Sequence, residues 1–211
     1  MGTQKVLIFG SMPCPSWDFL RPYEHWADLV IAADGGVQCA LDAGFTPDIY
    51  VGDSDSGGHA LIGMECIPLP AEKDLTDLQA AYETALNRGA REIVFTGCTG
   101  GRQDHHLSAL GLLETAAGHG VHGKILDPWN SIEFLAPGEY SVPKDGYTYF
   151  SLIPIDRVMR EITIRGAKYP LECRDTFRGD SLTVSNEWNI DPVALRFTDG
   201  CCYLIRSNNP W

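Results

Sequence analysis

The stretch VGDSDS (51–56) closes an apolar run with two aspartates, Asp53 and Asp55, two positions apart. Residues i and i+2 of an extended chain point the same way and lie about 7 Å apart. Two carboxylates at about 6 Å repel by roughly 3 kcal/mol at an effective dielectric of about 20. The chain already has a net charge of −12, so this repulsion must be relieved by solvent or by a cation. An exposed acidic loop is the plain reading of the pair alone. More acids recur nearby in the pattern: Asp34 before Gly35-Gly36, Asp74 and Asp77 in DLTD, and Asp104 before an apolar helical segment. A shared divalent cation would supply the missing positive charge. The candidate donors are oxygens, with only His105 and His106 as nitrogen neighbours, which suits Mg²⁺ rather than Zn²⁺.

TGCTGGRQDHH (96–106) offers the complementary anion side. Glycines in a strand-to-helix loop let backbone N–H groups approach a phosphate, and a helix N-terminus favours negative charge. Arg102 adds a planar fork of donors. The loop matches neither G-x-x-x-x-G-K-[ST] nor G-x-G-x-x-G, so a structural turn is its alternative reading. Acids and a glycine–arginine loop together point to a Mg-nucleotide site and phosphoryl chemistry.

These groups must be positioned by a sheet edge. KVLIFG (5–10), DLVIAAD (28–34), PDIYVGD (47–53), REIVFTG (91–97) and GKILD (123–127) are short apolar runs ending in Gly or Asp. Helical patterns lie between them. In DLTDLQAAYETALNRG (74–89) the apolar face has period 3.6, and LSALGLLETAAG (107–118) reads the same way. The alternation predicts an open, mainly parallel, Rossmann-like sheet flanked by helices, with ligands beyond the carboxyl ends of its strands. Asp74 is expected to cap one helix with Asp77 as its acid at the third position, and Asp104 to precede a helix starting near Leu107.

From Asn130 the pattern changes to short alternating runs without a helix. They are SIEFLAPGEYSVPKDGYTYFSLIPI, REITIRGAKYPL, DSLTVSNEW, PVALRF and CCYLIRS, separated by turn signals. This predicts a β-sandwich. The reading is therefore α/β plus all-β, with domains 1–129 and 130–211.

The bulk numbers exclude some classes. With 16 Lys and Arg against 28 Asp and Glu, no nucleic-acid surface is expected. Seven scattered cysteines without a C-x-x-C pair predict reduced thiols and a cytoplasmic protein. No apolar stretch reaches the ~20 residues that span a bilayer, so no membrane role is expected. The opening MGTQKVLIFGSMP runs straight into a strand, which predicts no signal peptide.

ADGG (33–36), GDSDS (52–56), EKDLTD (72–77), TGGRQDHH (99–106) and VSNE (184–187) occur in this order. With APGEY (136–140), FSLIPI (150–155), RGAKYPL (165–171) and LIRS (204–207), they resemble the thiamine pyrophosphokinases of bacterial type. The resemblance runs along nearly the whole chain. It implies an α/β catalytic domain and a β-sandwich, a homodimer with sites at the subunit interface, and diphosphoryl transfer from ATP to thiamine with release of AMP. It implies Mg²⁺ on Asp53, Asp55 and Asp77. It places ATP beside Asp34, Gly35, Gly36, Asp74, Thr99, Gly100, Gly101, Arg102 and Asp104. It places thiamine beside Thr76, Ser185 and Asn186, with the last two reaching from the partner subunit. Asp77, Asp104 and Arg102 are the expected catalytic groups, with Asp77 or Asp104 taking the proton of the thiamine hydroxyl. The positive thiazolium of thiamine suits an acidic pocket.

The pattern departs from the family at Ser54, at Gln103 and at Val37-Gln38, and none of these removes a charged ligand. At most one of His105 and His106 is expected to face the site. Trp188 is expected to pack rather than stack on a substrate ring, Trp129 and Trp211 to pack or to lie at an interface, and Lys73 to be exposed. Two rival readings are a Mg-dependent phosphohydrolase and a non-catalytic sensor of nucleotide or thiamine diphosphate. A third keeps the family and changes the acceptor to a related pyrimidine or thiazole alcohol.

Overall fold

The computed structural model describes residues 4–53, 63–70, 72 and 74–210. The chain forms two compact units, Met1–Pro128 and Trp129–Trp211. In the first, the strands are β1 (Gln4–Phe9), β2 (Leu29–Ala33), β3 (Ile49–Gly52), β4 (Glu65–Pro68), β5 (Ala90–Thr96) and β6 (His122–Leu126). The helices are α1 (Gly36–Asp42), α2 (Asp77–Asn87) and α3 (Gln103–Gly118), with a 3-10 turn at Asp18–Tyr23. The strands run in the order β4-β3-β2-β1-β5-β6, and each pairs parallel to its neighbour.

The central strand explains why the sheet is covered on both sides. Val6, Leu7, Ile8 and Phe9 are all fully buried, so both faces of β1 lie inside. Leu7, Phe9, Val30 and Val94 pack with Cys39 and Ala40 of α1 and Leu20 of the 3-10 turn. On the other face Tyr82 of α2 meets Phe95, and Gly123 lies against Leu113 and Ala116 of α3. The Tyr82 hydroxyl and His119 Nδ1 are 2.8 Å apart, which ties the middle of α2 to the end of α3.

Three local features differ from the sequence expectation. Strand β4 was absent from the expectation because ECIP is short, mostly exposed and at the sheet edge, so it lacks an apolar run. Thr76, not Asp74, caps α2: its hydroxyl accepts from the Gln79 N–H at 3.2 Å, and Asp77 opens the helix. Helix α3 starts at Gln103 rather than near Leu107, which puts Asp104 inside its first turn. The polar residues GRQDHH hide that start from a search for apolar periodicity.

The second unit holds β7 (Asn130–Leu135), β8 (Gly138–Val142), β9 (Tyr149–Pro154), β10 (Val158–Arg165), β11 (Leu171–Phe177), β12 (Val193–Phe197) and β13 (Cys202–Ser207). Antiparallel sheets β7-β13-β9 and β11-β10-β12-β8 share one core, which includes Phe150 and Leu204 from the first and Ile164 and Leu195 from the second. The sandwich is thus built from alternating strands such as VALRF, whose residues are buried at every second position. DSLTVSNEW is not a strand. It is a turn-rich segment joined to the sheets by the bridges Phe150–Asn186 and Ala167–Trp188. Arg206 is buried in this unit and ion-pairs with Glu133 and Asp145. Among the described residues, no helix is long and apolar enough to cross a membrane.

Candidate active site

The strand order reverses at β1. From β1 the chain builds outward through β2, β3 and β4, then returns to place β5 and β6 on the other side. Such a switch point leaves a crevice beyond the carboxyl ends of the two strands that part there, β1 and β5. A cavity of about 160 Å³ lies at that place. Its walls are Gly10, Ser11 and Met12 after β1, Asp34 after β2, Thr76 and Asp77 at the start of α2, Gly97, Cys98 and Gly100 after β5, and His105 and Ser108 of α3.

The floor exists because the β1 and β5 loops touch backbone to backbone. Gly10 N–H donates to Thr96 O at 2.8 Å, and Met12 N–H donates to Gly97 O at 2.9 Å. A Cβ on Gly97 would sit 2.5 Å from Gly10 O, and Gly97 has a φ of 63°, so only glycine fits. The glycine loop is then pinned from β6. Thr99 Oγ1 donates to Asp127 Oδ2 at 3.0 Å. Thr99→Val is expected to cost about 1 kcal/mol of stability. An unfolding midpoint equal to that of the wild type would refute this pinning role.

Tyr50 lies within the field of three carboxylates. Tyr50 donates to the Asp53 carbonyl at 2.7 Å and so shapes the turn after β3. Burial pushes the Tyr50 hydroxyl up from its ordinary pKa, and the charges of Asp34, Asp53 and Asp77 push it further. Asp34 holds a left-handed backbone with φ of 51°, and its Oδ1 is buried with no hydrogen-bond partner among the described residues. A strained backbone and an orphaned carboxylate oxygen at a strand end mark a site arranged for something other than stability. Among the described residues no three potential metal ligands are already drawn together, and Asp55 lies outside those residues. Asp34 and Asp77 bring carboxylate oxygens to the cavity wall, one of them unpartnered among the described residues, and such donors fit a hard cation such as Mg²⁺.

Other expected residues fall outside the cavity. Arg102 Nη2 bonds Asp104 Oδ2 at 2.6 Å, and both side chains are largely exposed. The hydrogen bond from Arg102 holds the Asp104 carboxyl below its ordinary value, so this carboxylate is a poor proton acceptor. Asp74 is exposed before α2. Gly35 and Gly36 lie behind the cavity wall, against Ser11 and Phe9. Gly101 is covered by the tip of Met12. Lys73 and Trp211 lie outside the described residues.

In the second unit Asn186 is buried and fully engaged. Its amide oxygen accepts from the Tyr169 and Glu187 N–H groups, and its Nδ2 donates to Tyr169 O at 2.8 Å. Ser185 is exposed with a φ of 56°. Trp188 packs on Phe150 and donates to Val142 O at 2.9 Å, as a packing residue does.

Sequence reasoning missed Gly10, Ser11 and Met12, and it missed Tyr50. The signal for the first three was the strand ending in GSM beside the glycine loop. Tyr50 was hidden by its place in an apolar run. Cys98 lines the cavity, but desolvation and then Asp127 push its thiol up to about 12, so it is no nucleophile.

Known proteins share both sequence and fold. Residues 20–124 match the family described as thiamin pyrophosphokinase, catalytic domain, and residues 139–202 match thiamin pyrophosphokinase, vitamin B1 binding domain. Thiamine pyrophosphokinase of Bacillus subtilis (strain 168) is 35% identical over 197 residues, covering 90% of this chain and 92% of that protein. The crystal structure of thiamine pyrophosphokinase from Bacillus subtilis superposes with a TM-score of 0.89 at 32% identity, covering 98% of this chain and 100% of that one. That of thiamin pyrophosphokinase from Geobacillus thermodenitrificans gives 0.86 at 32% identity, covering 98% and 99%. With a glycine-floored, carboxylate-walled crevice at the switch point and likeness over both units, the chain belongs to the thiamine pyrophosphokinase family.

Proposed function

We propose that the chain moves the diphosphoryl group of ATP to the hydroxyl of thiamine. The hydroxyl oxygen forms a bond to the β-phosphorus, the bond from that phosphorus to the α-phosphate oxygen breaks, and AMP leaves. The hydroxyl proton passes to a carboxylate. Asp77 is the better candidate for it, since Asp77 faces the cavity and Asp104 is held by Arg102. The carrying observation is the switch-point cavity itself, floored by glycine backbone and walled by Asp34, Thr76 and Asp77, with an Asp34 oxygen left unpartnered among the described residues.

Asp53, Asp55 and Asp77 would hold Mg²⁺, with Asp34 beside them. The ion would offset the charge of the triphosphate in a chain whose own charge is −12. The protein's groups do the rest. Gly10, Gly97 and Gly100 let the backbone come close to phosphoryl oxygens, and Thr76 offers a hydroxyl to the acceptor alcohol. Arg102 waits at the rim, oriented by Asp104. In the β-rich unit Asn186 fixes the loop that presents Ser185, and Ser185 is the contact offered to thiamine by the second copy of a homodimer. All seven cysteines are free thiols, which supports a reducing cytoplasmic setting. The acidic balance argues against nucleic acid as a partner.

The test is to incubate the protein with ATP, Mg²⁺ and thiamine and to identify the nucleotide product. AMP formed only when thiamine is present, and lost on chelation of the metal, is the expected result. ADP or free phosphate without thiamine would mean a phosphohydrolase, and binding without turnover would mean a sensor. AMP formed with another pyrimidine or thiazole alcohol in place of thiamine would move the acceptor within the same chemistry.

A further inference from the structure

Helix α3 offers the cavity two side chains to which the resemblance assigns no role. His105 and Ser108 are three residues apart, hence on one helical face, and both line the cavity with Asp34, Thr76 and Asp77. The neighbouring groups of the same turn do not line the cavity. Arg102 and Asp104 hold each other in solvent. His106 is half-buried on a different face, and its Nε2 is buried with no hydrogen-bond partner among the described residues. Gly97 and Gly100 line the same cavity, and a Cβ built on Gly100 would meet nothing within 4 Å, so this part of the wall is open. A ligand held among glycine backbone, an imidazole N–H and a hydroxyl is an acceptor-rich anion.

We infer that His105 and Ser108 are the polyphosphate contacts of α3, each donating to a phosphoryl oxygen of ATP lying across the β1–β5 crevice. The inference rests on the nucleotide reading above and sharpens it: the substrate-facing groups of this turn are the imidazole and the hydroxyl, with the Arg102–Asp104 pair at the rim.

The wild-type protein, His105→Ala, His105→Gln and Ser108→Ala are each titrated with ATP and Mg²⁺ in the absence of thiamine. KM for ATP and for thiamine is then measured for each. The expected result for His105→Ala is a rise of about tenfold in both the dissociation constant and the KM for ATP. Ser108→Ala should show a smaller rise, and His105→Gln, which keeps a donor, should recover part of the loss. KM for thiamine and the unfolding midpoint should not move. Unchanged ATP binding in both alanine variants would overturn the inference, as would an equal rise in KM for both substrates, the mark of a merely structural role. A wild-type protein that binds ATP in a His105-dependent way yet forms no AMP with thiamine would sink the proposed reaction and leave the contact assignment standing. A wild-type protein that binds no ATP would sink both.

Discussion

Asp77→Asn is expected to lower AMP formation about a thousandfold, the scale seen when one pre-positioned electrostatic group is removed from a transition state. Saturating Mg²⁺ should not restore it. Asp77 opens α2 and lines the cavity, and its charge acts on Tyr50 together with those of Asp34 and Asp53. Asparagine keeps the shape and removes the charge. The helix keeps its cap, because Thr76 supplies the bond to Gln79. The loss of one acid near the helix N-terminus should cost no more than about 1 kcal/mol of stability. A large fall in turnover with a nearly unchanged unfolding midpoint is therefore the signature. Asp104→Asn gives the control within the same motif set. That residue is outside the cavity and orients Arg102, so a loss of about tenfold or less is expected, read mainly in KM for ATP. Near-normal turnover of Asp77→Asn would refute both the metal and the proton role given to Asp77. Equal losses in the two variants would refute the division between cavity wall and rim.

The reach of sequence reasoning followed the physics of each signal. Buried parallel strands announce themselves, because a strand covered on both faces must be apolar throughout, as Val6 to Phe9 are. Alternating strands such as VALRF announce a half-buried sandwich in the same way. Acids after such strands fall at one edge by topology alone, so Asp34, Asp53 and Asp127 could be placed without coordinates. What stayed hidden were features without periodicity. The start of α3 is polar, so the reading put Asp104 ahead of the helix and could not tell which of its neighbours turns inward. The side chain that faces the cavity, His105, lies one residue beyond Asp104, and only the helical phase decides between them. Asn186 enters as a thiamine contact through the family motif alone, and only coordinates show that its amide holds its own loop. The floor made by Gly10 is invisible because it depends on contact with Gly97, 87 positions away in the chain.

That floor leads to the other large expected effect. Gly36→Ala should destabilise the first unit by at least about 3 kcal/mol and abolish ATP binding. Gly36 opens α1, and a Cβ built there would lie 2.2 Å from Phe9 O, 2.9 Å from Phe9 C and 3.2 Å from Gly10 O. All three are backbone atoms. Phe9 is fully buried and is paired with both Ala32 and Thr96, so it cannot retreat without breaking two ladders of the sheet. The strain falls on Gly10 and Ser11, which line the cavity, so stability and nucleotide binding must fail together. Gly111→Ala is the matching opposite. It sits inside α3, where a Cβ would meet nothing within 4 Å. There the alanine should stabilise by about 1 kcal/mol through helix propensity and raise the unfolding midpoint by about 3 °C. Steady-state kinetics should be unaltered. Chemical unfolding curves and ATP titrations of the two variants decide the matter. A stable, ATP-binding Gly36→Ala protein would mean that α1 and β1 can part without harm, and then the close packing of their ends is not what shapes the crevice.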